Sequence, residues 1–116
     1  MDVRRYDIVQ ADLSGTVGSE QGGIRPVLVI QNDIGNLHSS TTIVMPLSTK
    51  TFKNPNQLTH TLIKKSADTG LKMDSILLGE QMRVISSQRI KKRIGRVTDE
   101  MERREIRRVY EANFGE

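Results

Sequence analysis

GSEQGGIRPVLVIQND, residues 18–33, decides how this chain folds. The run changes character at Ile24, from small and polar residues to the unbroken apolar series Val27, Leu28, Val29 and Ile30. Four apolar residues dominated by β-branching are too few for a helix, and they predict a central strand buried on both faces. Pro26 stands near the beginning of that strand, where a residue without an N–H is tolerated. Arg25 places a full positive charge directly beside it. A charge at the mouth of a buried strand is either a solvated strand start or a group aimed at a ligand. The residues around it must decide.

Upstream, residues 14–23 (SGTVGSEQGG) carry four glycines and predict a mobile loop, preceded by a first strand over residues 3–13 (VRRYDIVQADL). Downstream, NDIGNLHSS (32–40) predicts a turn, with Asn32 and Asp33 as capping residues. TTIVMPL (41–47) predicts a third strand ending near Pro46, STKTFKNPNQL (48–58) a polar loop, and THTLIKK (59–65) a half-buried edge strand. DSILLGEQMRVIS (74–86) predicts a fifth strand, with Gly79 marking a bulge or a close backbone approach. The period then changes. In residues 98–115 the apolar positions Met101, Ile106, Val109, Tyr110 and Phe114 lie mostly at helical spacing, with Thr98 or Asp99 as cap and Gly115 as stop. Short strands followed by one helix predict a mainly β, α+β fold: a small, strongly bent antiparallel sheet or barrel with the helix packed at one end.

Composition narrows the function. The 116 residues predict a single domain, 1–116, with no cysteine and hence neither disulfides nor thiolate metal sites. No stretch approaches the ~18 apolar residues of a membrane helix and the N-terminus lacks an apolar leader, so a cytoplasmic location is expected. His38 and His60 stand apart, and the carboxylates are scattered. No metal site, no cofactor and no acid–base histidine pair are therefore expected. Aromatics are only 3% of the chain, which disfavours stacking platforms for single strands. The net charge is +4, and the excess lies late: residues 1–80 balance eight basic against eight acidic side chains, whereas residues 81–116 carry ten against six. Residues 86–97 (SSQRIKKRIGRV) hold five basic groups and no acid, either a solvated face or a footprint for phosphates.

The chemistry-bearing residues that remain are Arg25, the hydroxyls Ser48 and Thr49, and Glu80, Gln81 and Arg83. In a bent antiparallel sheet the ends of adjacent strands converge, so Arg25 can approach Ser48. A guanidinium and a hydroxyl facing one groove match the oxygens of a phosphodiester. Glu20 and Gln21 either read base edges from the loop or keep it soluble.

These same residues carry a resemblance. The string at 18–33, the hydroxyl after IVMPL, and DSILLGEQMRVIS followed by QRI and RIGRV resemble the MazF/PemK (Kid) family of toxin–antitoxin ribonucleases over nearly the whole chain. The resemblance implies an SH3-like barrel of the CcdB/MazF fold and a homodimer with a small MazE-like antitoxin. It also implies metal-independent cleavage of single-stranded RNA at short sequences, leaving a 2′,3′-cyclic phosphate and a 5′-hydroxyl. The family's catalytic arginine falls on Arg25. Its catalytic threonine falls on Ser48, with Thr49 adjacent as the alternative; serine keeps the hydroxyl but loses the methyl that stiffens χ1. Glu80 is the nearest candidate for a general base, the other recipients of the proton being solvent or the phosphate itself. RNA contacts are expected from Ser19, Glu20, Gln21, Gly22, Ser75, Gln81 and Arg83. A second departure is Tyr6, where the family often has glycine in R-G-D; a loop-facing packing change is expected there. The alternatives are a CcdB-like gyrase-binding toxin that cleaves nothing, and a non-catalytic SH3-like binding module.

Overall fold

A computed structural model describes residues 2–15, 17–18, 20–50 and 57–115. They form seven strands and two α-helices: β1 (Asp7–Asp12), β2 (Ile24–Val29), α1 (Asp33–His38), β3 (Thr41–Ser48), β4 (His60–Ile63), β5 (Ser75–Leu78), β6 (Arg83–Ser86), β7 (Ile90–Arg96) and α2 (Glu100–Ala112). All pairings are antiparallel, in the order β4-β5-β3-β2-β1-β7, with β6 also on β3. Among the described residues β4 and β7 are the outer strands and do not pair with each other. The sheet is therefore an open one rather than the closed barrel. Its curl brings the molecule to nearly equal extents of 35 × 34 × 33 Å.

The run that decided the fold now has its explanation. Strand alternation sends Val27 and Val29 to one pleat and Leu28 and Ile30 to the other. Leu28 and Ile30 join Ile8, Met45, Leu47, Ile106 and Val109 in a core capped by α2, while Val27 and Val29 join Val9, Ala11, Val44 and Ile85 on the opposite pleat. Both faces are dry, so the run has no polar alternation.

Three expectations change. Residues 33–38 are a short helix rather than a turn; Asn32 caps it, its side chain accepting from Gly35 N at 2.8 Å. The fifth strand is two strands, β5 and β6, separated by a 3-10 turn at Gly79–Gln81. A Cβ on Gly79 would lie 2.3 Å from Val109 Cγ1 and 2.6 Å from Thr59 O, the close backbone approach expected of that glycine. The basic run forms β7, whose exposed Lys91, Lys92 and Arg93 suit an outer strand. Tyr6 does not face a loop. It is 7% exposed in the α2 core at φ 76°, with Arg5 and Arg103 guanidinium carbons 5.1 and 4.5 Å from its ring centroid. Its backbone is tied on both sides, Tyr6 N donating to Val29 O and Val97 N to Tyr6 O.

Pro46 lies inside β3, two residues before the strand's end. One edge of β3 is shared: β6 pairs as far as Val44↔Arg83, and β5 begins at Leu47↔Leu77. Pro46 falls in the gap between them, where a missing N–H is tolerated.

Candidate active site

That gap opens a hollow of about 360 Å³ lined by Glu20, Gln21, Pro46, Glu80, Gln81, Met82 and Arg83. Its floor is the interrupted ladder, and its wall is the Gly79–Gln81 turn. The turn is fastened from outside: Gly79 N donates to Thr59 O at 2.8 Å, and Asn113 Nδ2 donates to Gly79 O at 2.8 Å.

Arg25 and Ser48 stand on one pleat. The register between β2 and β3 runs Val29↔Val44, Leu28↔Met45, Val27↔Pro46. Counted two residues further along both strands, it sets Arg25 abreast of Ser48, on the pleat of Val27, Pro46 and Val44. Arg83, register partner of Val44, shares that pleat. Arg25 is half-buried and held by the loop: Nε donates to Gly22 O at 2.9 Å and Nη1 to Gln21 Oε1. Gln21 N in turn donates to Gln81 Oε1 at 3.2 Å. Gly22, Gln21 and Gln81 thus form one chain of contacts that aims the guanidinium, and its remaining donors have no partner among the described residues. Ser48 is 5% exposed, and its Oγ accepts from Lys50 N at 3.2 Å, so its hydroxyl proton is still available to donate.

The other expected residues divide. Glu80 is at the hollow, but its Oε1 accepts from Thr59 Oγ1 at 3.0 Å and its Oε2 from buried His60 Nε2 at 3.0 Å. Burial pushes the Glu80 carboxyl up, yet the hydrogen bonds from His60, backbone and Thr59 outweigh it and hold the carboxyl below its ordinary range. Glu20 also lines the hollow, with Oε1 accepting from Val17 N at 2.6 Å. Ser75 and Thr49 are not brought to this site. Both line a hollow on the opposite pleat, and the buried Ser75 hydroxyl donates to Met73 O at 3.1 Å. Ser48 is the last residue of β3 and Thr49 lies in the bend just beyond it, where it lines that other hollow. Ser19 lies outside the described residues. The chain of contacts from Arg25 through Gln21 to Gln81 has no sequence signal of its own, because it joins residues sixty positions apart. Among the described residues no group of three or more His, Asp or Glu side chains could hold a metal ion, and no helix is long and apolar enough to cross a membrane.

The fold is a curled antiparallel sheet with one terminal helix, with Arg25 near the start of β2 and Ser48 at the end of β3. The family model of the PemK-like, MazF-like toxin of type II toxin–antitoxin systems matches residues 4–112, and this chain belongs to that family. It is 48% identical over 101 residues to Endoribonuclease EndoA of Bacillus subtilis (strain 168), covering 87% of this chain and 85% of that protein. It is 40% identical over 113 residues to Endoribonuclease MazF of Staphylococcus saprophyticus, covering 97% and 92%. Among solved structures, an endoribonuclease in complex with its cognate antitoxin from a mycobacterial species superposes with TM-score 0.77 at 18% identity, covering 97% of this chain and 95% of that one. MazF of Deinococcus radiodurans superposes with TM-score 0.77 at 18% identity, covering 98% and 97%.

Proposed function

We propose that this chain is the toxin of a type II module: an endoribonuclease that cuts single-stranded RNA at short sequences in the cytoplasm and so arrests translation and growth. The reading rests on family membership and on curated relatives, 40% and 48% identical, that are named endoribonucleases. The observation that carries it to this chain's own residues is the antiparallel pairing of β2 with β3, whose register, continued two residues past Val27↔Pro46, sets Arg25 opposite Ser48. These relatives disfavour the gyrase-binding alternative. A MazE-like antitoxin and a homodimer are proposed by the same kinship, since a solved neighbour is an endoribonuclease in complex with its cognate antitoxin.

In the proposed reaction the 2′-oxygen attacks the adjacent phosphorus as the bond to the next nucleotide's 5′-oxygen breaks. The products are a 2′,3′-cyclic phosphate and a 5′-hydroxyl. Negative charge builds on the phosphoryl oxygens, and donors aimed at them accelerate the step. Arg25 supplies a permanent cation with free N–H groups, and Ser48 supplies a neutral O–H donor. Arginine stays protonated, so it stabilises charge and cannot take the 2′-hydroxyl proton. Glu80 is the base candidate within the hollow, but a carboxyl held below its usual range is a weak one. The 2′-proton therefore passes to solvent or to the phosphate, the departing 5′-oxygen takes up one proton from the same source, and Glu80 serves to fix the turn that carries Gln81.

The test is incubation of the purified protein with a long RNA in EDTA, followed by mapping of the cut ends. Cleavage at a recurrent short sequence with cyclic-phosphate and 5′-hydroxyl ends is expected. RNA left intact overturns the reading.

A further inference from the structure

The hollow that holds Thr49 and Ser75 lies across the sheet from Arg25. We infer that it is a second RNA subsite, taking one nucleotide of the strand that flanks the cleaved linkage; the inference rests on the endoribonuclease reading. Lys92 of β7, Gln10 of β1 and Pro26 of β2 occupy one cross-strand row, by the registers Gln10↔Lys92 and Gln10↔Pro26. Lys72 and Met73 close the hollow from the segment before β5, giving a space of about 280 Å³.

Three observations point to RNA. The first is charge: the lining carries two exposed lysines and no carboxylate, and neither ammonium has a partner among the described residues. A hollow of about 650 Å³ between β4 and α2 sets Asp68, Asp99, Glu102 and Glu105 against Lys64 and Lys65, so its lining is net acidic and suits phosphates less well. The second is apolar surface: Met73 is 58% exposed beside Pro26 and Ile94, and a polarizable thioether suits the face of a base in a chain with few aromatics. The third is continuity. Pro26 follows Arg25 and Thr49 follows Ser48, so the hollow opens beside the same ends of β2 and β3, on the other pleat. A strand gripped at Arg25 and Ser48 passes over the rim onto the lysines.

The test uses the full chain with 2′-O-methyl RNA of random sequence, which lacks the internal nucleophile, as a tetranucleotide and a dodecanucleotide. In Lys72→Glu/Lys92→Glu the preference for the longer RNA is expected to fall about tenfold, and the slope of log affinity against log salt to shrink by about 1.4, roughly 0.7 for each phosphate released. Lys72→Arg/Lys92→Arg, which keeps both charges, is expected to restore both. Unchanged length preference and salt slope, in a double variant whose melting matches wild type, overturn the subsite while wild-type cleavage of long RNA leaves the parent reading standing. A double variant with altered sedimentation assigns the hollow to a contact between copies, which also overturns it. Wild type that neither binds nor cuts RNA removes both.

Discussion

Tyr6 occupies a backbone position that favours glycine, at φ 76°. An L-residue there costs about 1–2 kcal/mol. Here the strain is offset by a buried ring between Arg5 and Arg103, with the hydroxyl accepting from Arg107 Nη1 at 3.2 Å. That bond, the largest cause, raises the Arg107 pKa above its ordinary value. Both Tyr6→Ala and Tyr6→Gly lose the ring, but only alanine keeps the strain. Urea unfolding is expected to find the glycine variant more stable by about 1 kcal/mol; equal stabilities would show that the backbone is unstrained. Glu80 gives a second test at this scale. Its folded pKa is depressed, so its contribution to stability is present above the unfolded carboxyl value and is lost as pH falls through the folded one. The stability gap between wild type and Glu80→Gln is therefore expected to be full near neutrality and to close in acid, in urea midpoints taken from about pH 7 to about pH 3. A gap that widens in acid contradicts the assignment.

At the scale of elements, the Gly79–Gln81 turn is where packing and function meet. Gly79→Ala drives a methyl into Val109 and into the Thr59 carbonyl, so the turn must move off α2 and carry Gln81 with it. A loss of about 1–3 kcal/mol in urea unfolding is expected, together with weaker RNA binding. Val109→Ala in that background relieves only the side-chain half of the clash, because the Thr59 oxygen is backbone. A neutral Gly79→Ala would contradict the fastening of the turn. The same elements show what the sequence made legible. The apolar run in β2 and the change of period at Thr98 were readable because burial on both pleats and on one helical stripe leave different patterns. The helix α1 was not: six residues with a central Gly35 show no helical period, and only the cap at Asn32 marks it. The strand β7 was hidden because an outer strand shows its charges to solvent and reads as a basic run.

For the whole molecule, the sheet's curl turns local facts into a site. The antiparallel pairing of β2 with β3, with Arg25 near the start of one and Ser48 at the end of the other, was legible as converging strand ends. The division of Ser48 from Thr49, and the removal of Ser75 to the far pleat, needed the register, which no local pattern carries. The hollow itself comes from an exchange of partners along β3 at Pro46, a non-local event. The most direct measurement is single-turnover cleavage of a mapped RNA in EDTA by wild type, Arg25→Ala, Ser48→Ala and Ser48→Thr. Losses of about 10²–10³ are expected for each alanine variant, with Ser48→Thr close to wild type. Full-rate cleavage by Arg25→Ala or Ser48→Ala would contradict the account.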